Sequence, residues 1–312
     1  MATQHRFPAD HQLSARMTIT IFFIGLLYAV FVAGLFAAHI SVGIIVIFAG
    51  GFLVVQLFYS DRIALFSMGG KLVTEQQAPQ LYGVVSRLTS MADMAMPKIA
   101  VAETDIPNAF ATGRNQKHSV VCVTTGLLRR LTEPELEAVL AHELSHVAHR
   151  DVAVMTIASF LGIMAGMLTR VLMWSGMFGG MGGNSRNNQN NSGGNIFAIE
   201  MALMAFSALI YAISFVLIRT LSRYRELAAD RAGAILIGNP NMLATALQKV
   251  SGEMARIPSR DLRAAEHFNA FYFAPALAPG VSLSTLFSTH PSLQKRLDAL
   301  AKLDAQMRQQ IS

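Results

Sequence analysis

Four stretches of this 312-residue chain, about 17–38, 40–59, 152–174 and 196–218, are apolar over roughly the 20 residues that a helix needs to cross a bilayer. Backbone in lipid must satisfy its own hydrogen bonds, so these stretches dictate helices, grouped as two hairpins. Between and after the hairpins lie segments too polar to be buried in lipid. At 53% hydrophobic and 14% charged, the chain is too apolar for an ordinary soluble domain and must combine a membrane part with a folded polar part.

Charge sets the orientation. Arg16, Arg62, Lys71, Arg150, Arg219, Arg223 and Arg225 crowd one side of the four spans, whereas the opposite loops hold only His39 and Arg186. The positive-inside rule places both termini and the polar segments in the cytoplasm. The first apolar run lacks a small-residue cleavage site and reads as a retained anchor. Arg170 and Glu200, near the far ends of their spans, either pair across the second hairpin or snorkel separately to the interface. The net charge of +6 does not point to nucleic acid, because the basic residues mark membrane ends and do not alternate with aromatics along a groove. Cys122, the single cysteine, sits in an apolar Val-Val-Cys-Val run and reads as core packing.

Chemistry concentrates in Ala141-His142-Glu143-Leu144-Ser145-His146, an HExxH pattern. On a helix this spacing puts both histidines on one face, where two imidazoles can share one Zn²⁺. Glu143 lies beside them and is free to take a proton from water, which is a hydrolase geometry. The helix begins at Thr132-Glu133-Pro134-Glu135, a capping box with proline in the first turn. Leu136, Val139, Leu140, Leu144 and Val147 recur at three- and four-residue intervals and give it a core-facing stripe.

A catalytic zinc needs a third protein ligand and an open position. His149 is nearby in sequence, but the helical rise from His142 to His149 is about 10 Å, too far for one ion. A second helix supplies Glu226 and Asp230 on one face. In a His-His-Glu site the nearer carboxylate would bind the metal and the farther one would accept the free N–H of a ligating imidazole. The same pair also reads as a solvated acidic face balanced by Arg223, Arg225 and Arg231.

The remaining pattern predicts a helix near 77–91, strands near 98–102, 109–112 and 119–124 with a turn at 113–117, and helices near 222–237, 241–250 and 291–309. Residues 177–195 are mostly Gly, Asn and Ser, with almost no apolar anchor after Phe178, and read as a disordered loop on the far side of the membrane. An aromatic, proline-containing stretch covers 268–279.

The chain resembles the HtpX group of integral-membrane zinc metalloproteases, which are related to the CAAX prenyl proteases and have a thermolysin-like core. Beyond the HExxH, the matching pieces are Pro107-Asn108-Ala109-Phe110-Ala111-Thr112-Gly113, Thr125-Gly126-Leu127-Leu128, Arg225-Glu226-Leu227-Ala228-Ala229-Asp230 and Thr289-His290-Pro291-Ser292-Leu293-Gln294-Lys295-Arg296. Leu227 and Ala228 depart from the aromatic and His often found after the metal-binding Glu. The resemblance implies His142, His146 and Glu226 as ligands of one Zn²⁺ per chain, Glu143 as the base and Asp230 behind a ligand. It also implies that Asn108 and Ala109 lie on an edge strand that pairs with substrate backbone, and that His290 and Arg296 approach the oxyanion or support the site.

The expected fold class is α+β, a mainly helical integral membrane protein with four transmembrane helices and a thermolysin-like protease domain containing a small sheet. The expected division is a cytoplasmic tail at 1–16, hairpin 1 at 17–60, a first catalytic part at 61–151, hairpin 2 at 152–218 and a second catalytic part at 219–312. The expected function is zinc endopeptidase of the bacterial inner membrane, acting on damaged membrane proteins and unfolded polypeptides, with a prenyl-type processing protease and a non-catalytic zinc sensor as alternatives. His146 lies about six residues before the third span and Glu226 about eight after the fourth, which puts the site within about 10 Å of the apolar cores.

Overall fold

In the computed structural model, residues 11–38, 42–179, 192–256 and 290–311 are described. They form the helices α1 (His11–Ala37), α2 (Val42–Ser67), α3 (Pro79–Ala92), α4 (Thr125–Arg130), α5 (Glu133–Ala148), α6 (Asp151–Gly179), α7 (Ser192–Ile237), α8 (Pro240–Arg256) and α9 (Leu293–Ile311). The strands are β1 (Gly70–Leu72), β2 (Lys98–Ala102), β3 (Ala109–Asn115) and β4 (His118–Thr124). The mainly helical class with a small sheet is as expected.

The chain divides into two compact units, one built mainly from Leu57–Val154 and Ser222–Ser312, the other from Thr18–Gln56 and Met155–Leu221. In the first unit the sheet order is β1-β2-β4-β3, with β2 and β4 parallel and the outer pairings antiparallel. β3 is therefore an edge strand. α5 is the centre of this unit, and its Val139, Leu140 and Leu144 are fully buried in one cluster with Val85 and Leu88 of α3, Val121 and Val123 of β4 and Leu247 of α8. The Thr132 N–H donates to Glu135 Oε2 at 2.8 Å within the expected capping box.

The sequence located β2 to the residue and the other two strands to within three. β3 and β4 run closer together than the expected turn at 113–117, because the strand bulges at Gly113. Gly113 has φ +130, and a Cβ there would stand 2.1 Å from the His118 carbonyl oxygen, so only glycine fits. β1 escaped notice because three residues are too few to show alternation.

In the second unit, Leu27, Phe31 and Leu35 of α1 pack with Leu161 and Ala165 of α6 and Ile210 of α7. The Tyr28 hydroxyl donates to the Ile157 carbonyl at 2.6 Å and accepts from the Leu161 N–H at 2.8 Å, so it is inserted into the hydrogen-bond ladder of α6. Arg170 and Glu200 are both exposed, and no ion pair joins them.

Among the described residues three helices are long and apolar enough to cross a membrane: His11–Ala37, Asp151–Met173 and Ala198–Ile237. Of the stretch at 40–59, expected as a further span, the described residues from Val42 onward belong to α2. α7 is one continuous 46-residue helix, joining the expected fourth span to the expected helix at 222–237. The ends of the expected loop at 177–195 are helical, since α6 continues to Gly179 and α7 starts at Ser192. The rest of that loop and the stretch at 268–279 lie outside the described residues.

Candidate metal centre

His142 and His146 stand one turn apart on α5 with their Nε2 atoms 3.2 Å apart. Glu226, from α7, closes the group: its Oε2 lies 3.7 Å from His142 Nε2 and its Oε1 3.5 Å from His146 Nε2. Among the described residues these three form the group of His, Cys, Asp or Glu able to hold one ion, with all ligand atoms within 4.8 Å of one another. Three ligand atoms each about 2.0–2.2 Å from a tetrahedral ion are separated by little more than 3 Å, so the side chains fit a zinc-sized cation as they stand.

Both imidazoles are oriented from behind. His142 Nδ1 lies 3.0 Å from Asp230 Oδ1, and His146 Nδ1 lies 2.7 Å from Asp151 Oδ2. A carboxylate at each Nδ1 favours the tautomer whose Nε2 lone pair points into the site. Burial holds the His142 imidazole below its ordinary pKa, against the pull of Asp230.

Glu143 is buried and accepts a hydrogen bond from the Ala111 N–H at 3.0 Å. Burial lifts its carboxyl to about 8, with His146 opposing and Glu226 adding to the rise. Ala111 belongs to β3, and its N–H faces Glu143 because alternate residues of the strand turn away from β4. Ala109 shares that outward orientation. Asn108 does not, since its carbonyl accepts from the Thr124 N–H and its own N–H donates to Thr124 Oγ1. The edge that the sequence assigns to Asn108 and Ala109 thus turns its backbone outward at Ala109 and Ala111, where the Ala111 N–H is taken by Glu143, and not at Asn108.

His290 is buried with Nδ1 3.0 Å from Glu226 Oε2. Arg296 is only 1% exposed and is not a solvated surface charge. Its Nε and Nη2 donate to the two Asp230 oxygens at 2.8 and 2.6 Å, and its Nη1 is 3.7 Å from Glu226 Oε2. Both residues therefore support the carboxylates of α7. His149 caps α5, with Nδ1 2.7 Å from the Ser145 carbonyl, and is not in the group.

Three contributors escaped the sequence reading. In sequence Asp151 only ends the first catalytic part and Arg225 counts among the membrane-end charges, yet they form a buried ion pair behind His146. Gly233 packs directly against the α5 backbone at His142. An isolated glycine inside a helical pattern was the available signal, since it costs about 1 kcal/mol unless packing requires it.

Residues 75–304 match peptidase family M48. The chain is 53% identical to Protease HtpX homolog 1 of Streptomyces coelicolor over 97% of both chains, and 49% identical to a Protease HtpX homolog of Moorella thermoacetica over 96% of this chain and 97% of that one. Its fold resembles the crystal structure of S. mikatae Ste24p with a TM-score of 0.52 and 18% identity, covering 93% of this chain and 67% of that one. With most of its length inside the family pattern, an HExxH helix, and helices long and apolar enough to cross a membrane, the chain belongs to peptidase family M48 and is a membrane metalloendopeptidase.

Proposed function

We propose that the protein is a zinc endopeptidase of the bacterial inner membrane, with four spans and a cytoplasmic site, that cuts damaged or misassembled membrane proteins and unfolded polypeptides. The observation that carries this reading is the convergence of His142 Nε2, His146 Nε2 and the Glu226 carboxylate at separations suited to one ion, with a carboxylate behind each imidazole. Zn²⁺ held there supplies a Lewis acid that polarises a peptide carbonyl and acidifies water. Glu143 takes the proton of the attacking water and returns it to the leaving amine nitrogen. The Ala111 N–H orients that carboxylate. The outward backbone of β3 from Ala109 receives an extended substrate strand beside it, with Asn108 anchoring the strand to β4. His290 and Arg296 hold Glu226 and Asp230 in place. The division into a tail at 1–16, hairpins at 17–60 and 152–218 and catalytic parts at 61–151 and 219–312 accompanies this reading.

The test is incubation of the detergent-purified protein, with and without chelator, against an unfolded reporter and a multispan membrane reporter. Chelator-sensitive cuts in cytoplasmic segments near the reporter's spans are expected, whereas cuts confined to its periplasmic loops would refute both orientation and substrate class.

A further inference from the structure

The two imidazoles of the candidate centre are held by partners of different origin. Asp230, facing His142, lies one turn beyond Glu226 on α7. Asp151, facing His146, belongs to neither α5 nor α7: it is the first residue of α6. The connection that brings it there is unusual. His149 caps α5, and Arg150 adopts φ 56, a left-handed conformation uncommon for a residue with a side chain. The chain thereby turns sharply and returns the Asp151 carboxylate to the ring of His146.

Asp151 is also anchored on its other side. Its Oδ1 pairs with the Arg225 guanidinium, and Arg225 Nη2 reaches toward the His149 carbonyl at 3.4 Å. Asp151 and Arg225 are 8% and 9% exposed, so the pair is a buried one. Arg225 immediately precedes Glu226. Neighbouring residues of α7 therefore address the same imidazole from its two nitrogens, Glu226 at Nε2 directly and Arg225 at Nδ1 through Asp151.

We infer that Asp151 is the positioning residue of His146: it accepts the Nδ1 proton, thereby directs Nε2 into the centre, and is itself fixed by Arg225. The inference rests on reading His142, His146 and Glu226 as the metal ligands. A carboxylate at the remote nitrogen fixes ring orientation and raises ligand basicity, and loss of such a partner weakens metal binding by roughly 10–100-fold. A carboxylate present only to neutralise Arg225 would have no such effect once Arg225 is also removed.

That difference defines the experiment. The full-length protein in detergent is stripped of metal and titrated with Zn²⁺ against a competing chelator, and with Co²⁺, whose absorption spectrum reports ligand geometry. The variants are His146→Ala, Asp151→Ala and the double Asp151→Ala/Arg225→Met, which leaves no buried charge without its partner and so decides the matter if Asp151→Ala alone fails to fold. The double variant is expected to lose roughly 10–100-fold in zinc affinity and to give an altered Co²⁺ spectrum. Wild-type affinity and spectrum in the double variant would overturn the role of Asp151. Wild-type zinc affinity in His146→Ala would instead overturn the ligand reading, so the two failures are distinguishable.

Discussion

Gly233 of α7 touches the backbone of α5 at His142: a Cβ built on Gly233 would stand 2.7 Å from the His142 nitrogen and 3.0 Å from its Cα. The two helices that supply the candidate ligands thus meet backbone against backbone, and a methyl group there must drive them apart. Gly233→Ala is expected to destabilise by about 1–3 kcal/mol through overpacking and to weaken zinc binding, because Glu226 and Asp230 move away with α7. Gly252→Ala is the control, since that helical glycine has open space around it. Thermal melting and chelator competition compare the two, and equal behaviour would show that the contact does not set ligand spacing.

Glu143→Gln keeps the shape of the side chain but removes the base. Zinc content should be unchanged while turnover falls by at least about 10²-fold. The wild-type carboxyl must be ionised to act, so kcat/KM should fall as pH drops through its value. Burial sets that value at about 8, and a bound cation lowers it, placing the acid midpoint below 8. A Glu143→Gln enzyme that cleaves at wild-type rate would dismiss this base.

The legible residues were those whose role depends on spacing along one helix. His142, Glu143 and His146 follow from the helical period, and Glu226 with Asp230 from the same period on α7. Arg296 and Asp151 were harder, because each acts across a tertiary contact, 66 residues from Asp230 in one case and around a left-handed turn in the other. Asn108 shows the remaining limit: a motif locates an edge strand, but which of its amides face outward depends on pairing register.

Arg296→Met removes the fork that grips Asp230 and leaves a buried carboxylate short of its counter-charge. A loss of roughly 3–5 kcal/mol is expected in denaturant unfolding. Arg296→Lys should recover little of it, since a single ammonium cannot reproduce two parallel hydrogen bonds. Full recovery by lysine would show that charge alone matters at this position.

Burial pushes the Cys122 thiol up from 9.0 to about 12. A folded-state value above the unfolded one contributes stability that is fully present below pH 9 and is lost as pH rises toward 12. Melting temperature should therefore fall across that window, less steeply in Cys122→Ala, and alkylation of the native protein at pH 8 should be slow. Equal slopes in the two proteins would remove Cys122 from the alkaline transition.

Among the described residues, the cluster around His142 and His146 buries four carboxylates, Glu143, Asp151, Glu226 and Asp230, against two guanidiniums, Arg225 and Arg296. With neutral histidines and all four acids ionised, Glu143 included once a cation has lowered its carboxyl, the cluster carries two negative charges in excess. A doubly charged cation brings it to electroneutrality, whereas a monovalent ion leaves a buried deficit that low-dielectric surroundings penalise heavily. Selectivity by valence is thus built into the count of acids and bases, ahead of any preference expressed through ligand distance.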